Sequence, residues 1–125
     1  MEKTVFIIDD SALARRTIKN LLENDGFDVV GETDGGANAI NQYKELKPDI
    51  VTMDIAMSKM DGIRALEDIL DYNPEAKVVV ITGKAKEEVV KKTVGIGAKY
   101  FIAKPFEGNE LVQIVEKVFN DEIVF

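Results

Sequence analysis

The chain has 125 residues, 46% of them hydrophobic, and a formal net charge of -7, which suits one domain built on one core with no linker. It contains no cysteine and no histidine, so disulfide frameworks, thiolate or imidazole metal sites and a Ser-His-Asp triad are excluded. The acidic balance argues against unaided binding to nucleic acid or anionic lipid. No stretch approaches membrane-spanning length, and Met1-Glu2-Lys3-Thr4 carries no basic leader, so a cytoplasmic monomer with protein partners is expected.

In chain order, Val5-Phe6-Ile7-Ile8 is a short apolar run closed by Asp9-Asp10, and Ser11 opens a helical pattern with Leu13, Ala14, Ile18, Leu21 and Leu22 inward. Asn24-Asp25-Gly26 stops that helix, with glycine supplying the left-handed position. Phe27 to Gly31 reads as a second strand and Thr33-Asp34-Gly35-Gly36 as a turn. Ala37, Ile40 and the Tyr43-Leu46 stretch give a second helix its inward stripe, ended by Lys47-Pro48. Asp49-Ile50-Val51-Thr52-Met53-Asp54 is then an apolar strand that stops at a carboxylate.

The second half repeats the alternation. Gly62 precedes a helix with Ile63, Leu66, Ile69 and Leu70 inward, broken at Asn73-Pro74, and Lys77 to Ile81 is a strand ending at Thr82-Gly83. A helix from about Ala85 to Val94 has a thin inward side (Val89, Val90, Val94) and closes at Gly95-Ile96-Gly97. Tyr100 to Ala103 is the last strand, ending at Lys104-Pro105, and Leu111, Val115, Val118 and Phe119 mark the last helix. Ile123-Val124-Phe125 is an apolar end for which packing against a neighbour is the expectation.

Continuous apolar strands belong to parallel sheets covered on both faces, and five strand-helix units with short connections make an α/β, doubly wound sheet. Such sheets place ligands at the carboxyl ends of their strands, at the switch point where the first and third strands lie side by side. That arrangement would gather Asp9, Asp10 and Asp54, with Thr82 and Lys104 flanking the same crevice.

Two carboxylates about 4 Å apart repel by roughly 4 kcal/mol at an effective dielectric near 20, so three need a cation nearby. Magnesium fits, because it takes oxygen ligands and commonly shares one or two carboxylates with phosphate oxygens. Lys104 supplies a point charge for a phosphoryl oxygen and Thr82 a hydroxyl. With its charge balanced in this way, Asp54 can attack phosphorus and form an aspartyl phosphate.

Asp9-Asp10, Asp54, Met57-x-x-Met60-Asp61-Gly62, Thr82 and Lys104-Pro105-Phe106 together resemble the signature of response-regulator receiver domains of two-component signalling, over essentially the whole chain, as one domain from 1 to 125. The resemblance implies a flavodoxin-like fold with strand order 2-1-3-4-5. It implies that Asp54 is the phosphoacceptor, that Asp10, Asp54 and the backbone carbonyl of Ala56 bind Mg2+, and that Asp9 holds a metal-bound water. By the same resemblance Thr82 and Lys104 contact the phosphoryl group, Thr82 and Phe101 form the switch, and the Lys104-Pro105 bond is cis. The stretch Glu45 to Asp54 looks most like the stand-alone chemotaxis type. Ser58, Gly83 and Ala56 depart from the usual pattern, the first for proline, the second for alanine, the third for a polar residue. The expected partners are a histidine kinase or phosphotransfer protein, a downstream protein target and an auxiliary phosphatase.

Singly, each residue has a plainer reading. Asp9, Asp10 or Ser11 can cap the first helix, Asp54 a turn, Thr82 and Phe101 can be core, and Lys104-Pro105 a turn signal. Three functional alternatives stand beside the signalling one: a phosphorelay intermediate, a non-phosphorylated interaction module of the same fold, and a small metal-dependent phosphohydrolase with an aspartyl nucleophile. The last wants a second aspartate two residues after the first, where this chain has Ala56. From Lys84 to Lys104 there are six lysines and two glutamates, a net +4 in an acidic chain, either a solvated face or the docking face for an acidic target.

Overall fold

A computed structural model describes residues 2–35, 38–56, 62–83 and 86–122. Five strands, β1 (Thr4–Ile8), β2 (Asp28–Thr33), β3 (Ile50–Met53), β4 (Val78–Thr82) and β5 (Tyr100–Ala103), alternate with α1 (Ala12–Asn24), α2 (Ala39–Leu46), α3 (Gly62–Tyr72), α4 (Glu87–Ile96) and α5 (Gly108–Phe119). They form one parallel sheet in the order β2-β1-β3-β4-β5. This is the doubly wound, flavodoxin-like order expected, with its switch point between β1 and β3.

The sheet is apolar on both faces because helices cover both. Phe6, Ile8, Val51, Met53, Val78 and Val80 pack toward α2 and α3. Their strand neighbours Val5, Ile7, Ile50, Val79, Ile81 and Ile102 pack toward α1 and α5, as the two-residue period of a strand requires. β1, β3 and β4 are inside the sheet and therefore buried almost throughout, which is why their sequence is mostly apolar, with Thr52 and Thr82 as the buried polar residues of β3 and β4.

α1 begins at Ser11, whose hydroxyl accepts from the Ala14 N–H at 3.2 Å, and ends where Gly26 takes φ 94°. α2 ends at Lys47, itself left-handed at φ 48°, with its N–H bonded to the Tyr43 carbonyl. The Lys104-Pro105 peptide is cis.

Several expectations need correction. Thr33 belongs to β2 and not to the following turn, because the Asp9 N–H extends the pairing onto its carbonyl at 3.1 Å. Leu13 does not face inward; it is 74% exposed, one position off the buried stripe of Ile18 and Leu22. In α3 the inward residue of the first turn is Ala65, with Ile63 only half-buried. α4 runs two residues past Val94, through Gly95 and Ile96, and its one buried residue is Thr93; Val89, Val90 and Val94 are half-buried. A threonine can fill that place because its hydroxyl donates to the Val90 carbonyl at 2.9 Å within the helix. Ala37, the Met57 to Asp61 stretch, Lys84, Ala85 and the apolar end from Ile123 to Phe125 lie outside the described residues.

Candidate functional site

The register of β1 against β3 pairs Ile8 with Met53, so the residues that follow, Asp9 and Asp54, leave adjacent strands side by side. The Asp54 N–H bonds to the Ile8 carbonyl at 2.9 Å and keeps the two ends in step. Asp9 and Asp54 are 1% and 7% exposed, and Asp10 is half-buried. Carboxylate oxygens of all three lie within 4.8 Å of one another, a grouping able to hold a metal ion.

Lys104 reaches this cluster from the end of β5. Its backbone N–H bonds to the Thr82 carbonyl at 2.9 Å, extending the β4-β5 pairing by one step. Its ammonium lies 2.8 Å from Asp9 Oδ2 and 3.1 Å from Asp54 Oδ2. Burial disfavours its charged form. The hydrogen bonds to Asp9 and Asp54, with the charge of both carboxylates, outweigh that and raise its pKa above 10.5.

The remaining carboxylate oxygens have local partners. Asp9 Oδ1 accepts from the Ser11 N–H at 2.9 Å, and Asp54 Oδ1 from the Ala56 N–H at 2.8 Å. Of the helix-capping candidates Asp9, Asp10 and Ser11 it is Ser11 that caps α1, while the turn-capping reading of Asp54 holds for its Oδ1; the Oδ2 of Asp9 and of Asp54 is turned to Lys104. Thr82 ends β4 fully buried, and Phe101, half-buried on β5, is paired with Val80 and packed against the α2 and α3 side of the core.

Sequence reasoning missed Arg15. From the first turn of α1 its Nη1 donates to the Asp9 main-chain carbonyl at 2.6 Å, and its Nε donates to Glu32 on β2 at 2.9 Å. An arginine four residues after a helix-capping serine faces back over the preceding strand end, the one signal that could have pointed to it. An open groove of about 690 Å³ also borders Lys104, lined by Leu13, Thr17, Leu21, Pro105, Phe106 and Gly108.

Fold and cluster together define a doubly wound α/β protein with a cation-ready acidic site at its switch point. Residues 5–116 match the model of the response regulator receiver domain, and the chain belongs to that family. It is 42% identical to the chemotaxis protein CheY of Thermotoga maritima over 94% of this chain and 98% of that one. It is 39% identical to CheY of Bacillus subtilis over 96% and 100%. The crystal structure of the CheX-CheY-BeF3-Mg+2 complex from Borrelia burgdorferi superposes with a TM-score of 0.89 at 36% identity, covering 93% of this chain and 88% of that one. The chain is a response regulator of the chemotaxis type, and acceptance of a phosphoryl group on an aspartate from a histidine kinase is the general function of its family. No helix among the described residues is long and apolar enough to cross a membrane.

Proposed function

We propose that this chain is a single receiver domain, residues 1–125, that accepts a phosphoryl group on Asp54 from a phosphohistidine donor and signals through protein contacts. The observation that carries this reading is the buried Asp54 carboxylate, grouped with Asp9 and Asp10 and bonded to Lys104. A carboxylate oxygen of Asp54 attacks phosphorus; a new O–P bond forms as the bond from phosphorus to the donor breaks and the donor keeps its electron pair. Lys104 is held where its ammonium can follow charge from the carboxylate to a phosphoryl oxygen, and Thr82 supplies a hydroxyl from the neighbouring strand end.

The cluster fits a hard divalent cation, since its donors are all oxygen and their mutual repulsion is relieved by positive charge. Asp10, Asp54 and the Ala56 carbonyl would hold Mg2+, with Asp9 holding a bound water. When bound, Mg2+ neutralises charge on the phosphoryl group. The chain's role is that of a phosphoacceptor which promotes its own phosphorylation and dephosphorylation, not an enzyme acting on a separate substrate. Ala56 offers no acid for the phosphohydrolase alternative.

Partners follow from the surface. The phosphodonor is a histidine kinase or phosphotransfer protein. The basic window ending at Lys104, with Lys86, Lys91 and Lys92 exposed, is offered to an acidic downstream target. Ala56 leaves room for an auxiliary phosphatase. Phosphorylation draws Thr82 inward and lets Phe101 turn, shifting the population of the α4 and β5 surface. The setting is cytoplasmic.

The test is mass spectrometry after incubation with an acyl phosphate and Mg2+. One phosphoryl group is expected on the wild type and none on Asp54→Asn, with weaker labelling in Asp10→Ala. Undiminished labelling of Asp54→Asn would move the acceptor elsewhere.

A further inference from the structure

The peptide that joins Asp9 to Asp10 carries two of the three carboxylates of the cluster, so its orientation sets where both side chains start. That peptide's carbonyl accepts from Arg15 Nη1 at 2.6 Å, a short bond with a charged donor. The same guanidinium is fixed in turn by Glu32 on β2, 2.9 Å from its Nε. Asp9 is then held from four sides. Its N–H donates to Thr33, its carbonyl accepts from Arg15, and its carboxylate accepts from Ser11 and Lys104.

We infer that Arg15 is a positioning residue for the cation site, setting divalent-ion affinity by locking the Asp9-Asp10 peptide between α1 and β2. The inference rests on the reading of Asp9, Asp10 and Asp54 as a Mg2+ site and deepens it. Arg15 touches neither ion nor phosphoryl group; it acts on the backbone from which two ligands project. Only a forked, planar guanidinium spans Asp9 and Glu32 at once; a lysine ammonium is a single point and holds one or the other. Two effects of Arg15 on the ion oppose each other. Its positive charge repels a cation, whereas its grip orders the carboxylates that bind one. Glu32 lies in contact with the guanidinium and cancels much of the charge beyond it, which leaves the grip as the larger effect. Partners that orient metal ligands are worth about 10- to 100-fold in metal affinity.

Calorimetric titration of Mg2+ into the unphosphorylated full chain tests this, with the rise in melting temperature at saturating Mg2+ as a second readout. Arg15→Ala and Arg15→Lys should each bind Mg2+ about tenfold more weakly than wild type, and Asp10→Ala more weakly still. Arg16→Ala, which removes the same charge from the exposed next position of α1, should bind as wild type does. Arg15→Lys keeps the charge, so its loss cannot be electrostatic, and it also serves should Arg15→Ala not fold. Wild-type affinity in Arg15→Lys, or tighter binding in Arg15→Ala, overturns the positioning role while leaving the Mg2+ site standing. No Mg2+ binding by wild type removes the site reading and this inference with it.

Discussion

The ammonium of Lys104 lies 2.8 Å from the carboxylate of Asp9, joining residues 95 positions apart in the chain. Because folding raises the Lys104 pKa, its ion pairs with Asp9 and Asp54 stabilise the fold below pH 10.5 wherever the two carboxylates are ionised. That stabilisation is lost as pH climbs from 10.5 through the raised value. Without divalent cations, wild type should lose more stability than Lys104→Met between about pH 9 and about pH 12. Urea denaturation of both proteins reads the difference, and a gap that stays constant over that range would count against the pairing.

Thr52 is 1% exposed on β3, and its hydroxyl meets no hydrogen-bond partner among the described residues. A buried, unpaired hydroxyl carries a desolvation penalty of about 1–3 kcal/mol, and valine has nearly the same shape without it. Thr52→Val should therefore stabilise the fold by about 1 kcal/mol in urea denaturation. Destabilisation by a similar amount would mean that the hydroxyl is bonded in solution.

Two glycines near the site, Gly62 at the start of α3 and Gly83 just after β4, should respond in opposite ways to alanine. A Cβ on Gly62 would overlap the backbone of Ile55, next to Asp54, whereas a Cβ on Gly83 meets nothing within 4 Å. Gly62→Ala should cost about 2–3 kcal/mol and weaken Mg2+ binding. Gly83→Ala should be neutral or stabilise by about 0.4–1 kcal/mol through the unfolded chain. Similar melting temperatures for the two variants would refute the distinction.

If Asp54 is the acceptor, its phosphate should hydrolyse slowly in the isolated protein. The in-line water needs orienting, which is worth several kcal/mol of barrier, and Ala56 has no polar side chain to do it, while its N–H is already donated to Asp54 Oδ1. Ala56→Asn should shorten the lifetime of the phosphorylated protein several-fold, as followed by loss of the mass-labelled species. An unchanged lifetime would argue that other groups place the water.

α4 buries a single residue, Thr93, and carries Gly95, whose added Cβ would meet only open space. Sparse burial makes an element easy to open, so α4 amides should exchange faster than those of α3 or α5. Gly95→Ala should slow that exchange, since glycine costs a helix about 0.8–1 kcal/mol relative to alanine. Protection in α4 equal to that in α5 would overturn this.

Periodicity alone was enough to determine the class of fold. Strands buried on both faces, such as Val5 to Ile8 and Val78 to Ile81, read as near-continuous apolar runs, and a sheet covered by helices on both sides alternates with them along the chain. The acids at the ends of those runs were legible for the same reason, since a carboxylate is costly inside a strand but not at its rim. Hydrophobic pattern could not find Thr93 as the anchor of α4, because a hydroxyl satisfied by its own helix looks polar in sequence and behaves as apolar in packing. Nor could it show that Leu13 turns outward or that Ala65 displaces Ile63, since helix rotation about its axis is settled by what the helix packs against. Contacts between residues far apart in sequence were decided by tertiary structure. Lys104 meets Asp9, and Arg15 joins the Asp9 carbonyl to Glu32, because strand order and crossover place β1, β2 and β5 around one crevice. Side-chain reach beyond a few residues depends on that arrangement, and no local spacing encodes it.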